Sequence, residues 1–302
     1  MTLAPRVVLV HRRTEREQIV RESGTWAQAK FQASSQAADS ALDSVDTRHT
    51  ATERALQTVS AAIPGSWRRG AVEREDLDRF LFEPEDLVVV VGQDGLVANV
   101  AKYLNDQPVI GIDPEPGSGL GVLVRHRPDD CARLLQQTSD GRAAAQERTM
   151  VEAVVDGNST GLRLTALNEV YLGSPTHQSA RYVLTLPDGR AETQSSSGLL
   201  AGTGTGATGW LLSAARERHS PLALPGPTDR SLGWFVREAW PSPATGADLT
   251  EGVISEQQSL IVQVRSESLV LFGDGMEADR VVLTWGQTVA IAPAKRTLRL
   301  VV

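Results

Sequence analysis

The feature that most constrains the fold is an uninterrupted apolar run from Leu87 to Val91, which ends at Gly92. A run of this kind favours a strand buried on both faces, as in a parallel sheet covered by helices. Apolar residues recur at helical spacing after it, and another apolar run follows at Pro108–Asp113. We therefore expect a strand–turn–helix–strand unit of a doubly wound α/β domain.

The segment before this run fits the same class. Val7–Val10 predicts a first strand, and the polar, Ala-rich stretch from about Thr14 to Ala62 predicts helices with a break near Gly24. Alternating strands and helices are typical of a sheet with helices on its faces. The N-terminal part of the chain is thus interpreted as an α/β domain with a parallel sheet.

Beyond about Thr149 the pattern changes to short apolar segments separated by Gly, Asp and Pro, which is typical of strands joined by turns. Helical spacing is clear only at Ala207–Arg218. We predict strands at Met150–Val155, Leu162–Leu172, Arg181–Leu186, Ser197–Ala201, Leu260–Val264, Leu269–Phe272 and Val281–Leu283. The chain is interpreted as an α/β domain over residues 1–145 and a β-rich domain over 146–302, with a C-terminal segment able to pack back on the first.

Charge and cysteine content narrow the function classes. The net charge is -7 and no concentrated basic footprint occurs, which argues against DNA or RNA as the main ligand. Cys131 is the single cysteine, so an internal disulfide or a thiolate metal cluster is excluded. No stretch approaches the roughly 20 apolar residues that span a bilayer, and no secretory leader is recognisable. We expect a cytoplasmic protein with no membrane partner.

The first candidate site is Gly92-Gln93-Asp94-Gly95, where the buried strand gives way to a helix. Backbone N–H groups of a glycine-bearing turn and the partial positive charge of a helix N-terminus attract anions. Asp94 would lie beside a bound phosphate, where a carboxylate orients a hydroxyl or accepts its proton. The structural alternative is a tight turn whose Asp caps the helix.

The second candidate is Asn168-Glu169, inside the predicted strand Leu162–Leu172. Alternation places Asn168 on the apolar face, where an unpaired amide costs on the order of 1–3 kcal/mol. Some partner must therefore satisfy its amide, and Glu169 points to the other face. Either Asn168 is a core residue bonded to nearby backbone, or the pair binds the hydroxyls of a ribose.

The third candidate is the glycine- and threonine-rich stretch Gly202–Gly209, which follows Ser195-Ser196-Ser197-Gly198. Its many N–H and O–H donors suit phosphate or sugar binding, and a flexible hinge is the structural alternative. Gly204, Gly206 and Gly209 match G-x-G-x-x-G formally. However, that dinucleotide motif should open the first βαβ unit, and here it lies after β-rich sequence. A Rossmann dehydrogenase is therefore rejected, and a Walker P-loop is excluded because no Gly-Lys-Ser/Thr occurs.

Two further features favour structural interpretations. Gly273-Asp274-Gly275 lies between two predicted strands and predicts a hairpin turn. The five histidines are dispersed, without the spacing of metal ligands, so a dedicated zinc site is not expected.

Taken together and in this order, the motifs resemble those of the NAD kinase family. Gly92–Gly95 corresponds to its Gly-Gly-Asp-Gly motif, Asn168-Glu169 to its Asn-Glu pair, and Thr203–Thr208 to its threonine-rich glycine turn. The resemblance extends from about Val7 to the C-terminus. Three further stretches are most similar to the mitochondrial-type branch: Pro108–Asp113, Ser196–Gly198 and Arg237–Ser242.

The resemblance implies a kinase that transfers the γ-phosphate of ATP to the 2′-hydroxyl of the adenosine ribose of NAD, giving NADP. Asp94 would position or deprotonate that hydroxyl. Mg²⁺ would enter with ATP, held largely by phosphates and water. The family also implies NAD bound in a cleft between the domains and a homodimer or larger homo-oligomer. The implied phosphate-donor contacts are Gly92, Gln93 and Gly95, and the implied NAD contacts are Asn168, Glu169, Thr203, Thr205, Gly206 and Thr208.

The chain departs from the family motif at two positions. Gln93 replaces its second glycine, and Leu96 replaces the threonine that usually follows. If that glycine is needed for a positive φ or for close phosphate approach, Gln93 is strained or obstructs the donor. Two alternatives stay open: an NAD- or nucleotide-binding relative with impaired catalysis and a regulatory role, and a kinase for another hydroxyl substrate such as a lipid.

Overall fold

The computed structural model describes residues 4–32, 36–117, 121–156 and 161–302. The chain forms two compact units, Met1–Gln146 with Arg299–Val302, and Glu147–Leu298. None of the helices in the described ranges is long and apolar enough to cross a membrane.

The first unit is built on a parallel sheet with the strand order β2-β1-β3-β4. The last residues of the chain continue it, because Leu300 pairs in parallel with Val109 of β4. Its elements are β1 (Arg6–His11), α1 (Glu15–Ser23), α2 (Trp26–Gln32), α3 (Gln36–Ala62), β2 (Arg68–Glu73), β3 (Asp86–Val91), α4 (Asp94–Ala101), β4 (Val109–Ile112) and α5 (Cys131–Ser139).

Burial of β3 on both faces explains its apolar run. Every residue of β3 is buried. One of its faces packs with α3 and α5 in a single cluster that includes Val89, Val59 and Leu135. The helices before it begin and end where the sequence indicates, since Thr14 and Glu17 form a capping box for α1 and Gly24 ends that helix with φ 84°. The predicted helix break near Gly24 is confirmed.

The second unit consists of two sheets whose registered strand pairs are antiparallel. One has the order β12-β11-β10-β7-β14-β15; the other runs β9-β8-β13-β16, and β5 pairs with β16 and β6. The elements are β5 (Ala145–Asp156), β6 (Leu162–Ala166), β7 (Glu169–Gly173), β8 (Ala180–Thr185), β9 (Ala191–Ser196), β10 (Gly198–Gly202), α6 (Trp210–Glu217), β11 (Ser231–Arg237), β12 (Glu251–Ser255), β13 (Leu260–Val264), β14 (Ser268–Gly273), β15 (Val281–Thr284) and β16 (Thr288–Val301).

The core of this unit lies between the inner faces of its sheets. Leu199 and Trp234 from the first sheet share one buried cluster with Tyr182 and Val262 from the second. On the outer face of the first sheet, α6 packs against Leu200. Since β10 is covered on both faces, all five of its residues are buried. The predicted fold class, a parallel α/β domain followed by a β-rich domain, is confirmed.

One predicted strand is wrong. Leu162–Leu172 is divided into β6 and β7, and Leu167 and Asn168 form a bend between them. Asn168 is half-buried at this bend instead of lying on the apolar face of a continuous strand. The physical cause is a carboxylate from a distant turn that accepts hydrogen bonds from the backbone of the bend, described below.

Candidate functional site

The Gly92–Gly95 junction lies at the carboxyl end of the parallel strand β3. The Gly92 N–H donates to the Ile112 carbonyl of β4 at 3.1 Å, which fixes the exit of the chain from the sheet. Helix α4 begins two residues later, at Asp94. Its first N–H groups have no partner inside the helix, and they carry the partial positive charge of the helix dipole. This edge of the sheet can therefore attract an anion.

The carboxylate of Asp94 binds three consecutive backbone amides. Its Oδ1 accepts from the N–H groups of Leu123 at 2.8 Å and Val124 at 2.9 Å, and its Oδ2 accepts from Val122 at 3.0 Å. A carboxylate offers about four lone-pair positions, so one remains for a further donor. The structural alternative of an Asp that caps the helix is wrong, because Gln93 occupies the cap position and Asp94 contacts the 122–124 segment instead.

Gln93 and Leu96 are accommodated without strain. Gln93 has φ −98° and ψ 164°, an ordinary extended conformation, and its side chain is exposed. A positive φ, the first of the two reasons that could require glycine there, is therefore not needed at this position. Leu96 is 3 % exposed and belongs to the core, where its side chain packs against Gly92 of the junction. At Gly95, an added Cβ would meet no atom within 4 Å, which leaves open space for a ligand.

A cavity of about 130 Å³ opens beside this junction within the first unit. Three acidic residues line it, Glu15, Asp113 and Glu115, and Arg48 pairs with Glu15 at 2.7 Å. Gly92 and Gln93 also line it, together with three side chains that carry or can carry positive charge, Arg12, Arg48 and His49. Motif reading missed these three residues. The available signal was the position of Arg12, directly after the first strand, at the edge where parallel α/β sheets bind ligands.

In the second unit, the bend at Leu167 and Asn168 is held by Asp274. The Asp274 Oδ2 accepts from the Leu167 N–H at 2.8 Å, and its Oδ1 accepts from the N–H groups of Asn168 at 2.6 Å and Glu169 at 3.4 Å. Sequence reading assigned Asp274 only to a hairpin turn. Its contacts with residues more than 100 positions away explain why the strand divides at the bend.

The glycine turn packs against the other side of the same bend. The Thr203 N–H donates to the Asn168 carbonyl at 2.8 Å, and the Thr203 hydroxyl donates to the Leu167 carbonyl at 2.6 Å. A Cβ at Gly206 would lie 2.3 Å from the Asn168 carbonyl oxygen, so this approach requires glycine. Four predicted site residues, Asn168, Glu169, Thr203 and Gly206, therefore lie together.

The other two predicted residues of the turn differ in exposure. Thr205 is buried, and within the described ranges its hydroxyl has no hydrogen-bond partner. Thr208 is exposed and donates its hydroxyl hydrogen to the Thr205 carbonyl at 2.9 Å. Thr208 is thus the accessible hydroxyl of the turn, whereas Thr205 is enclosed by it.

Glu169 has an unusual protonation equilibrium. Burial, reinforced by the negative charge of Asp274, raises the pKa of Glu169 to about 8. Its backbone pairs with Gly202 across the sheet, and the missing Cβ of that glycine leaves room for the Glu169 side chain. At neutral pH most molecules therefore carry a neutral carboxyl at position 169, which donates as well as accepts hydrogen bonds.

Several known NAD kinases are similar to the chain in sequence. No protein-family model matches the chain. The NAD kinase of Chlorobaculum tepidum is 25 % identical over 249 residues, or 81 % of this chain and 78 % of that protein. The NAD kinase of Chloroherpeton thalassium is 24 % identical over 234 residues, or 76 % of each chain. The NAD kinase of Photorhabdus laumondii is 37 % identical over 141 residues, which span about half of that relative, 47 %. The chain is thus similar to NAD kinases over as much as 81 % of its length.

Two places with well-defined hydrogen bonds are the candidate sites: the Asp94 carboxylate and the bend that Asp274 holds. The family resemblance assigned Asp94 and Asn168-Glu169 on sequence order alone. Each lies in a segment with a defined set of hydrogen bonds, one in each unit. Across the described ranges, no group of three or more His, Cys, Asp or Glu side chains has the arrangement of a metal site.

Proposed function

We propose that this chain is a member of the NAD kinase family that transfers the γ-phosphate of ATP to the 2′-hydroxyl of the adenosine ribose of NAD, producing NADP. The observation that carries the proposal is its similarity to NAD kinases over as much as 81 % of the chain. Asp94 at the helix N-terminus and the Asn168-Glu169 bend give this similarity a chemical basis, since they combine an anion-binding edge with hydroxyl-binding side chains.

The phosphate donor would bind at the Gly92–Gly95 junction. The partial charge of the α4 N-terminus and the guanidinium of Arg12, which lines the neighbouring cavity, oppose the charge of a triphosphate. Gly95 has open space above it, which lets phosphate oxygens approach the backbone. Mg²⁺ would be bound as the complex with ATP and would neutralise charge that develops on the transferred phosphoryl group.

Asp94 would act on the acceptor hydroxyl. Three of its lone-pair positions are occupied by amides of the 122–124 segment, which fixes the carboxylate in place. The remaining position accepts a hydrogen bond from the 2′-hydroxyl and orients its oxygen for attack on phosphorus. A rigid acceptor of this kind is suited to a reaction in which positioning supplies most of the catalysis.

Asn168, Glu169 and the glycine turn would bind NAD. A neutral Glu169 donates a hydrogen bond to a ribose or phosphate oxygen, and its neutrality avoids repulsion from the phosphates of the dinucleotide. Thr208 offers an exposed hydroxyl oxygen that can accept from a ribose hydroxyl, since its own hydrogen is donated to the Thr205 carbonyl. We propose a homodimer or larger homo-oligomer as the functional form, in line with the family resemblance.

The test is an assay of the purified protein with NAD, ATP and Mg²⁺, in which an NADP-specific dehydrogenase detects the product. NADP formation that depends on ATP supports the proposal. Binding of NAD without NADP formation would instead indicate a relative with impaired catalysis. Phosphorylation of a lipid or sugar, with no binding of NAD, would overturn the proposal.

A further inference from the structure

Two residues, Asp274 and Thr203, form hydrogen bonds with every backbone N–H and carbonyl group of residues 167–169 at the bend. The N–H groups of Leu167, Asn168 and Glu169 all donate to the Asp274 carboxylate. The carbonyl oxygens accept in turn from the Thr203 hydroxyl, the Thr203 N–H and the Asp274 N–H, at 2.6, 2.8 and 3.0 Å. All six backbone polar groups of the bend therefore bond to Asp274 or Thr203.

Turn geometry alone does not explain the aspartate at position 274. Asp274 and Gly275 have φ 52° and 67°, and the Met276 N–H donates to the Gly273 carbonyl, as in a type I′ turn. Asn-Gly forms this turn at least as well as Asp-Gly. What asparagine lacks is the second carboxylate oxygen, because its side chain would present N–H donors to backbone N–H groups.

The Thr203 hydroxyl links the bend to the glycine turn. It donates to the Leu167 carbonyl and accepts from the N–H groups of Thr205 and Gly206, at 3.1 and 3.3 Å. This hydroxyl is buried, so a replacement without it leaves polar backbone groups without partners. The Thr203 hydroxyl thus joins the glycine turn and the bend through three hydrogen bonds.

We propose that Asp274 and Thr203 are positioning residues for the NAD site: they hold the bend from its two sides and so fix the direction in which Asn168 and Glu169 meet the dinucleotide. The inference rests on the proposed function, because it takes the side chains of Asn168 and Glu169 to be contacts of NAD. It adds Asp274 to the site and gives Thr203, which the family resemblance implied as an NAD contact, a role through the backbone of the bend.

The first test uses Asp274→Asn, which keeps the type I′ turn and removes the carboxylate. Steady-state kinetics should show the KM for NAD raised by about tenfold or more, as expected when charge-assisted hydrogen bonds are lost. The KM for ATP serves as the internal control and should stay within about twofold of wild type. An unchanged KM for NAD, or an equal rise for both substrates, would overturn the proposal.

The second test uses the pair Thr203→Val and Thr203→Ser, which differ in the hydroxyl. The valine variant should raise the KM for NAD, and the serine variant should recover most of the loss because it restores the donor to Leu167. This pair keeps the proposal testable if Asp274→Asn fails to fold. Equal KM values for NAD in the two variants would contradict a role for the hydroxyl.

Amide hydrogen exchange separates this inference from the proposed function. In Asp274→Asn, the amides of residues 167–169 should exchange at least about tenfold faster, because their acceptor is weakened. Amides of β3 in the other unit provide the control. Suppose that these amides exchange faster in the variant but that the wild-type protein forms no NADP. The role of Asp274 in holding the bend would then stand, and the proposed NAD kinase function would fall. Unchanged exchange at residues 167–169 would reject that role of Asp274.

Discussion

Asp94 and Asp274 show how one contact pattern serves two surroundings. Each aspartate precedes a glycine, and each accepts hydrogen bonds from three consecutive amides of a segment distant in the chain. Asp94 stands in the first turn of a helix, close to a cavity lined by both cationic and acidic side chains, whereas Asp274 stands in a tight turn next to the carboxyl of Glu169. The first surroundings include the partial positive charge of a helix N-terminus, and the second raise the pKa of a neighbouring carboxyl.

A carboxylate bound to three amides therefore does not by itself indicate a catalytic residue. The charges around it decide its role. In the proposed function, the helix N-terminus near Asp94 would bind the phosphate donor, and the remaining lone pair of Asp94 would accept from the acceptor hydroxyl. Near Asp274 the second acid takes up a proton instead, and the aspartate holds a backbone segment in place. The predictions below test this assignment of chemistry to one region and support to the other.

The largest effect is expected for Asp94→Asn. The loss of the acceptor for the 2′-hydroxyl should lower kcat by about 10²–10⁴-fold, the range typical of a positioned acid–base group. Initial rates of NADP formation measure this. Asp129→Asn, which changes an exposed aspartate of the same unit, is the matched control. If Asp274→Asn lowered kcat more than Asp94→Asn, the assignment of the two roles would be reversed.

The raised pKa of Glu169 predicts a pH-dependent stability of the unliganded protein. Between pH 4.5 and about 8 the unfolded chain has an ionised Glu169, while the folded protein keeps it protonated. The folded state therefore binds the extra proton, and stability falls as pH rises through this window, by up to about 1.4 kcal/mol per pH unit.

Glu169→Gln, which stays neutral at every pH, should remove this contribution. Urea unfolding at pH 5 and pH 8 compares the two proteins, and wild type should lose more stability than the variant between these values. Parallel stability–pH curves for the two proteins would show that Glu169 ionises in the folded state like an exposed carboxyl, contrary to the chemistry assigned here.

Gly206 and Gly95 differ in whether the structure has room for a Cβ atom. Gly206→Ala forces a Cβ against the Asn168 carbonyl and should destabilise the protein by about 1–3 kcal/mol. Gly95→Ala, where the added Cβ meets nothing, should change the free energy of unfolding by less than about 0.5 kcal/mol. Denaturant unfolding of both variants provides the measurement. Equal destabilisation by the two alanines would contradict the open space at Gly95.

The smallest effect is expected for Gln93→Gly. Because Gln93 is exposed and has an extended backbone, the glycine relieves no strain, and activity should change by about twofold or less. Kinetics with varied ATP measure this. A large rise in kcat would mean that the glutamine side chain obstructs the phosphate donor.

The sequence predicted those elements whose pattern is local. The apolar run of β3 and the alternation in β13 gave the strands almost to the residue, and Leu260–Val264 was predicted with its observed bounds. Strand β9, Ala-Glu-Thr-Gln-Ser-Ser, was missed, because it has little apolar alternation and is held by its pairing with β8. Local pattern does not encode a strand that is stabilised mainly by its neighbour.

The sequence suggested candidate residues for the site but did not predict the hydrogen bonds that these residues form. Asp94 and Asn168-Glu169 were chosen by order and residue type, which are visible in the sequence. The hydrogen bonds of Asp274 join residues 105 to 107 positions apart, and those of Asp94 join residues 28 to 30 apart. Such contacts form only when the chain folds, so a turn motif such as Gly-Asp-Gly predicts the turn and not what its carboxylate binds.

The central claim is that Asp94 receives the hydroxyl that becomes phosphorylated. A crystal structure of the protein with NAD bound tests this claim most directly. The account predicts the 2′-hydroxyl of the adenosine ribose within hydrogen-bond distance of an Asp94 carboxylate oxygen, about 2.5–3.0 Å. An NAD molecule whose 2′-hydroxyl lies away from Asp94, with all three amides of residues 122–124 still on that carboxylate, would contradict it.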